Sequence, residues 1–233
     1  MKHFELTSES KVNVIGITLF RIKLTVDCKW GSKGDLGGWI QKEENISGDA
    51  WLYGDAEVYG DARVSGNARV SGNARVYGDA WLYGDARVYG NAWLYGNARV
   101  YGNARVYGDA WVYGNALVYG DARVYGDALV SGDARVYGDA LVSGDALVSG
   151  NARVSGNAEV SGDAWEQSPL QIKGTKHFIT ECKKGFLQIG CKCYSFKEWE
   201  LHFEKIGRAE YYTDKQIKEY KLYIDLAISL SKL

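Results

Sequence analysis

Proline and methionine each occur once in the 233 residues, histidine occurs three times and cysteine four times. Glycine is abundant, with 29 copies, and so much glycine with so little proline is typical neither of collagen nor of a disordered linker. The sequence has no stretch of about eighteen apolar residues, and its start, MKHFELTSESK, has no apolar run. We therefore expect no membrane segment and no signal peptide. Four cysteines, none of them in the repeats, favour a reducing cytoplasm over a disulfide framework.

Lysine is missing from the central part of the chain, residues 47–165, which holds 9 Arg, 12 Asp and 2 Glu. The flanking segments are slightly basic, so the whole chain has a formal net charge of only −1. No segment is basic enough to indicate nucleic-acid binding from its charge, and nucleic acid is not an expected partner.

A six-residue repeat dominates what is present. Glycine recurs every sixth position from Gly48 to Gly162, and each hexad reads Gly-(Asp/Asn)-Ala-x-(Val/Leu)-(Tyr/Ser). Alternate residues of an extended strand share a face, so Ala104 and Val106 point to one side while Arg105 and Tyr107 point to the other. The small and branched pair predicts the buried side, and the Gly-Asp or Gly-Asn pairs predict corners between short strands. A chain of strands and corners with this regularity must coil.

This pattern resembles the left-handed β-helix of hexapeptide-repeat proteins, in which an aliphatic residue recurs every six positions with a small residue two before it. The resemblance implies three hexads per triangular coil of eighteen residues, and therefore about seven coils for this chain. We expect a mostly β, single-stranded, parallel β-helix whose core of alanine and valine is packed too closely to admit a ligand. Any binding site should then lie on the outer faces, at the ends or between subunits.

Both ends of the coil should carry caps, because a solenoid needs terminal units to cover its last rungs. Residues 1–38, with KVNVIGITLFRIKLTVDC, predict an N-terminal β cap, and residues 39–165 predict the β-helix. Residues 166–233 predict a small α+β cap with a hairpin turning at Lys184-Gly185. Capping boxes at Ser195 and Thr213 predict the starts of two helices.

The flanking phrases resemble a group of hexapeptide-repeat proteins encoded by bacteriophages and prophages. The resemblance covers nearly the whole chain. It is carried by the segments KGDLGGWIQKEENISGDAWLYGDA, TLFRIK before the repeats and LQIGCKCYSFKEW after them. The group brings no established activity with it. It implies a setting, the cytoplasm of a host bacterial cell.

Enzymes of the hexapeptide-repeat type need histidines that this coil lacks. Trimeric acyltransferases use a catalytic histidine at a subunit junction, and the related carbonic anhydrases use three histidines on zinc. The only histidines here are His3, His177 and His202, all outside residues 47–165. We therefore expect no catalytic residue, no cofactor and no enzymatic activity, and acyl transfer stays open only as a minor alternative.

An eighteen-residue coil aligns outward residues into columns. One column predicts a possible site for an anionic ligand such as a nucleotide, because stacked guanidiniums repel one another and tyrosine rings offer stacking surface. The favoured interpretation, however, is a solvated surface in which corner residues such as Asp85 and Asp121 neutralise the arginines. The candidate residues are Arg69, Arg87, Arg105, Arg123, Tyr89, Tyr107 and Tyr125.

A second column is apolar and aromatic, and it predicts a contact between copies of the chain. A stripe of this size is larger than a soluble monomer normally exposes, and the fold's relatives suggest a homotrimer. The alternative is that aromatic ladders only stabilise the coil. The candidate interface residues are Trp93, Trp111, Tyr95, Tyr113, Leu129, Leu147 and Trp165.

Three cysteines near the end of the chain raise the question of a metal site. Cys191 and Cys193 should share a strand face near Cys182 across the hairpin, but the paired Cys-x₂₋₄-Cys spacing of structural zinc sites is absent. Buried free cysteines are the favoured interpretation, with zinc as the alternative.

The sequence thus favours a non-enzymatic binding or scaffold protein that works as a homo-oligomer and presents a rigid outer face to a partner, for example a host macromolecule. The first alternative is sequestration of a nucleotide signal by Arg and Tyr side chains at the seams between subunits. The second is a hexapeptide-repeat acyltransferase.

Overall fold

The computed structural model describes residues 3–162, 164–165 and 167–232. Its central part is a parallel β-helix in which each hexad forms one short strand. Strands pair with those eighteen residues away, as Arg87 does with Arg105, so three hexads make one coil. The prediction of a mostly β parallel helix of about seven coils is confirmed. Residue 166, where the C-terminal cap was predicted to begin, lies outside the described residues, as do the first two residues of the predicted N-terminal cap.

The coil has three faces, named here by their outward side chains. The tryptophan face contains the strands Glu57–Val58, Arg75–Val76, Trp93–Leu94, Trp111–Val112, Leu129–Val130, Leu147–Val148 and Ala164–Trp165. The arginine–tyrosine face contains Trp51–Leu52, Arg69–Val70, Arg87–Val88, Arg105–Val106, Arg123–Val124, Leu141–Ser143 and Glu159–Ser161. The mixed face contains Arg63–Val64, Trp81–Leu82, Arg99–Val100, Leu117–Val118, Arg135–Val136 and Arg153–Val154.

Backbone hydrogen bonds between coils hold these short strands. In one hexad, the amide of Arg105 donates to the carbonyl of Ala122 at 2.9 Å and the amide of Tyr107 donates to that of Val124 at 3.0 Å. The corner amide of Asp109 continues the ladder with a bond of 2.9 Å to the Gly126 carbonyl. A two-residue strand would not be stable alone, but here each rung is paired above and below.

The interior of the coil contains only alanine and aliphatic side chains over its middle. From Ala68 to Val154, the inward Ala and Val or Leu side chains are fully buried. This packing leaves the outward side chains and the two ends as the places where the coil can bind anything.

The N-terminal strands extend one face of the coil instead of forming a separate sheet. The strands Phe4–Val12 and Thr18–Leu24 form an antiparallel hairpin, which pairs through Leu36–Ile40 with the first strand of the tryptophan face. A short 3₁₀ helix, Glu43–Asn45, follows. Phe4, Ile22 and Leu24 are buried against the first coil and cover its open end.

The C-terminal cap is a four-stranded antiparallel sheet with two helices. The strands are Gln171–Lys173, Phe178–Lys183, Phe186–Ile189 and Lys192–Ser195. Helix α1 spans Phe196–Ala209 and helix α2 spans Asp214–Leu230. The structure contains both predicted capping boxes, at Ser195 and Thr213. Among the described residues, neither helix is long and apolar enough to cross a membrane.

The last rung of the tryptophan face departs from the repeat. Trp165 aligns with Val148, where the eighteen-residue repeat predicts Leu147, and its side chain is buried in the core of the coil. Trp165 was predicted to lie in the outward interface column, and that placement is wrong. No further coil follows this strand among the described residues, and the indole occupies the inward position and covers the end of the core.

Candidate binding surfaces

The arginine column lies on the arginine–tyrosine face as the sequence predicts. Arg69, Arg87, Arg105 and Arg123 occupy equivalent positions in four successive rungs. Trp30, from the segment before the coil, lies over the guanidinium of Arg69 at 4.6 Å and closes one end of the column. The other three arginines have neither an aromatic cover nor an acidic partner within 4.0 Å among the described residues.

The predicted neutralisation of these arginines by corner aspartates is not present. Asp85 and Asp121 form no ion pair with any described arginine, and Asp121 instead accepts a hydrogen bond of 3.0 Å from the Asn103 side chain. Guanidiniums one rung apart, about 4.8 Å, repel one another by about 1 kcal/mol at the dielectric constant of water. Among the described residues, Arg87, Arg105 and Arg123 therefore have no ion-pair partner.

Tyrosine rings stack beside the arginines. Tyr89 and Tyr107 lie 4.8 Å apart between ring centroids with an interplanar angle of 1°, and Tyr107 and Tyr125 lie 5.0 Å apart. Burial against the neighbouring rings raises the pKa of Tyr107, with the adjacent Tyr89 and Tyr125 acting in the same direction. Because the ring planes face each other along the column, most of the stacking surface is already occupied, and the exposed part is ring edge and hydroxyl.

The tryptophan face carries an apolar ladder in its middle. Trp93 and Trp111 stack with ring centroids 4.9 Å apart, and Leu129 and Leu147 continue the column in register. Arg75 lies over the outer side of Trp93 at 5.1 Å and is ion-paired with the buried Glu57 at 3.6 Å. Trp111 remains 40% exposed in spite of the stacking. The ladder stabilises the coil and also leaves an apolar surface in contact with water.

Stacked tyrosines run beside this ladder. Tyr77 and Tyr95 lie 5.0 Å apart between ring centroids, and Tyr95 and Tyr113 lie 4.9 Å apart. Tyr95 also makes an edge contact with Trp111 at 6.4 Å. The predicted interface residues Tyr95 and Tyr113 are therefore brought together with Trp93 and Trp111 on one surface.

An open groove runs along the tryptophan face. Its floor is the apolar ladder, and one of its edges is the acidic corner that this face shares with the arginine–tyrosine face. This tryptophan groove is lined by Asn91, Trp93, Asp109, Trp111, Asp127, Leu129, Asp145 and Leu147. Asn91 donates a hydrogen bond of 3.0 Å to Asp109, whereas no donor reaches Asp127 or Asp145 among the described residues. The acidic edge was not singled out from the sequence, although its eighteen-residue spacing is visible there.

The three candidate cysteines do not come together as a metal site. The Sγ atoms of Cys182 and Cys193 lie 2.8 Å apart, while Cys191 lines a different cavity in the cap. Burial raises the pKa of the Cys182 thiol to about 12, and its hydrogen bond with Cys193 acts in the same direction. Cys182 is buried as favoured above, but Cys191 and Cys193 are exposed. Within the described residues, no three His, Cys, Asp or Glu side chains are grouped so that they could hold a metal ion.

A small cavity lies between the cap sheet and its helices, and sequence reasoning did not find it. Its volume is about 50 Å³, and it is lined mainly by aromatic and aliphatic side chains such as Trp199, Phe203 and Ile217. The Lys192–Glu210 ion pair, with a separation of 3.1 Å, lies at its edge. The Tyr220 hydroxyl donates a hydrogen bond of 2.8 Å to the His177 carbonyl, which fixes the strand connection to α2.

The three histidines lie apart from one another. His3 is near the first coil, where its ring contacts the Ala50 carbonyl at 3.1 Å. His177 lies in the C-terminal cap beside Tyr212, and His202 is exposed on α1. None of them lies on the outward columns of the coil.

Comparison with known families agrees with this architecture. The repeats match the family model described as YdcK beta solenoid repeat in seven segments, namely residues 56–71, 68–84, 80–96, 98–114, 122–136, 134–150 and 146–162. The protein is therefore a β-solenoid repeat protein. Its repeats are similar to those of the YdcK solenoids, over less than half of the chain. A search of curated proteins found no match.

Proposed function

We propose that this protein is a non-enzymatic binding scaffold that works as a homo-oligomer, with the tryptophan groove as the contact between copies. The phage-type phrases around the repeats suggest a role inside a bacterial host cell, where the oligomer presents its rigid outer faces to a macromolecular partner. A trimer is the expected assembly.

The observation that carries this proposal is the apolar floor of the groove. Trp93, Trp111, Leu129 and Leu147 form one continuous column, and the described ends of the chain do not fold back over it. Burying apolar surface contributes roughly 25 cal/mol per Å². A second copy offers the same length of regular, rigid surface, so association loses little conformational entropy.

The test compares two tryptophans with the same exposure on different faces. Trp111 is 40% exposed in the groove and Trp81 is 41% exposed on the mixed face. Sedimentation velocity at micromolar concentration should show an oligomer for the wild type and for Trp81→Glu. Trp111→Glu should be monomeric and still folded by circular dichroism. A wild-type protein that is monomeric at all concentrations tested would refute the proposal.

The two alternatives from the sequence have separate tests. Nucleotide sequestration is favoured by the unpaired arginines, and it predicts that nucleotides or cyclic dinucleotides raise the melting temperature. Acyl transfer predicts turnover of an acyl-CoA that His177→Ala or His202→Ala abolishes. No stabilisation by any nucleotide, and no turnover, are the results that our proposal expects.

A further inference from the structure

Two columns of uninterrupted like charge border the same corner of the coil. The arginine column, taken here as Arg87, Arg105 and Arg123, lies on the face that ends at this corner, and the tyrosine column of Tyr89, Tyr107 and Tyr125 separates it from the corner. The acidic column, Asp109, Asp127 and Asp145, forms the corner itself and the edge of the tryptophan groove. Among the described residues, neither column is ion-paired with any other part of the chain.

Elsewhere among the described residues of the coil, such runs are no longer than two residues, as at Arg135 and Arg153. At the corner between the tryptophan and mixed faces, Asn97 and Asn115 separate acidic residues, and their side chains form a hydrogen-bonded ladder that ends on Asp133. On the mixed face, Trp81 lies between Arg63 and Arg99 and contacts both guanidiniums. Like charges stacked without an intervening partner are unfavourable, so the two longer runs beside the groove favour a partner outside the protomer.

The pitch of the two columns limits what that partner can be. Both columns repeat once per coil, about 4.8 Å. A row of opposite charges with the same pitch can pair with every rung. The acidic column of this protein has that pitch because it also repeats once per coil. Arg105 and Asp109 belong to the same coil, as do Arg123 and Asp127. Two parallel copies at equal height therefore bring each arginine of one level with an aspartate of the other.

We propose that the arginine column of one protomer pairs with the acidic column of a second copy, so that the arginine–tyrosine face of one chain lies against the acidic edge of the tryptophan groove of the next. The proposal rests on the self-association proposed above and specifies its partner surface. Each protomer uses two different surfaces, so the contact is heterologous and forms a closed ring when its rotation closes. The ion pairs then lie along the acidic edge of the groove.

Charge exchange tests this pairing directly. Arg105→Asp/Arg123→Asp places aspartates against aspartates, and Asp109→Arg/Asp127→Arg places arginines against arginines. We expect each double variant to weaken association at least tenfold. The quadruple variant, with both columns exchanged, should recover association. An equimolar mixture of the two double variants should recover association between unlike subunits, while a ring of three keeps one like-charge contact. Arg135→Asp/Arg153→Asp on the mixed face is the matched control for changed net charge and should associate like the wild type.

The outcomes separate this inference from the proposed function. If the wild type associates and Trp111→Glu prevents it, but the charge variants behave like the mixed-face control, the groove is an interface and the charge pairing is wrong. If both double variants lose association and neither the quadruple variant nor the mixture regains it, the pairing is also wrong. Stabilisation by a cyclic dinucleotide that Arg105→Asp/Arg123→Asp abolishes, in a protein that stays monomeric, would assign the arginine column to nucleotides instead.

Salt gives an independent readout. At about 1 M salt the screening length falls to about 3 Å, which weakens exposed ion pairs and leaves the apolar contact. We expect the association constant of the wild type to fall with salt and that of Asp109→Arg/Asp127→Arg to rise. A wild-type association constant that does not depend on salt would contradict the charge pairing.

Discussion

At the scale of a single residue, the corner glycine meets two requirements at once. Gly90 has a φ of +75°, in the left-handed region that side chains with a Cβ rarely adopt. A Cβ added to Gly90 would also lie 3.0 Å from the backbone nitrogen and oxygen of Gly108 in the next coil. The second constraint comes from the stacking of coils and cannot be read from turn propensity.

Substitution of two corner glycines separates these requirements. Gly90→Ala should destabilise the protein by about 2 to 3 kcal/mol, because it suffers both the φ penalty and the contact with backbone. Gly54 has a φ of +62°, but its added Cβ would lie 3.6 Å from the nearest atom, so Gly54→Ala should cost only about 1 kcal/mol. Urea unfolding of the two variants measures the difference. Equal losses would show that the close approach of the coils is not a constraint.

Tyrosine ionisation gives a pH dependence with a defined sign. Burial raises the pKa of Tyr59 from 10.0 to about 12, and the pKa of its stacked neighbour Tyr77 is raised for the same reason. Between pH 10 and 12 the unfolded chain has lost phenolic protons that the folded protein keeps. The unfolded state then binds fewer protons, so stability is complete below pH 10 and falls as the pH rises through this window.

Urea midpoints measured at pH 9 and pH 11 test this expectation. The midpoint of the wild type should fall between the two, and that of Tyr59→Phe should fall by less, because phenylalanine has no proton to lose. An equal fall in both proteins would mean that Tyr59 contributes nothing to the alkaline loss of stability.

At the scale of the element, the hexad predicts almost everything about the middle of the coil. The assignment of Ala104 and Val106 to the core and of Arg105 and Tyr107 to the surface is correct, because strand alternation and the corner glycines fix the direction of each side chain. The eighteen-residue alignment of the columns is correct as well. That alignment was implied by the resemblance to hexapeptide-repeat proteins, since the hexad alone does not set the number of strands per coil.

The end of the coil could not be predicted in the same way. The hexad continues up to Trp165, but the next residue is Glu166 where the repeat has Val or Leu. The strand shifts by one residue and the indole enters the core. In the middle of the solenoid, the next coil pairs with the backbone of each rung and covers its core. Among the described residues, no coil follows this last rung. What covers the last rung is therefore not given by the hexad itself.

This role of Trp165 can be tested by hydrogen exchange. Trp165→Ala should destabilise the protein by about 3 kcal/mol or more and increase amide exchange in the last coils, for example at Leu141. The amide of Arg105, in the middle of the coil, should change less. Trp81→Ala, which removes a tryptophan that is 41% exposed, is the control and should leave the last coils unchanged. Increased exchange spread evenly over the whole coil would contradict a capping role.

At the scale of the whole molecule, the candidate surfaces were predictable only in part. The arginine and tryptophan columns follow from an eighteen-residue alignment, and the structure brings their members together except Trp165. Whether the arginines are ion-paired could not be predicted from the sequence. Pairing with Asp85 and Asp121 depends on how far the side chains reach from the face to its corner. The acidic edge could be recognised as part of a candidate binding surface only from the structure, which shows the groove beside it.

The arrangement of uncompensated charges around an apolar groove makes association between copies the central claim. Sedimentation equilibrium of the wild-type protein over a range of micromolar concentrations tests it most directly. The account predicts a mass that is a multiple of 25.8 kDa and that returns to 25.8 kDa in Trp111→Glu. A wild-type mass of 25.8 kDa at every concentration, at low salt, would contradict it.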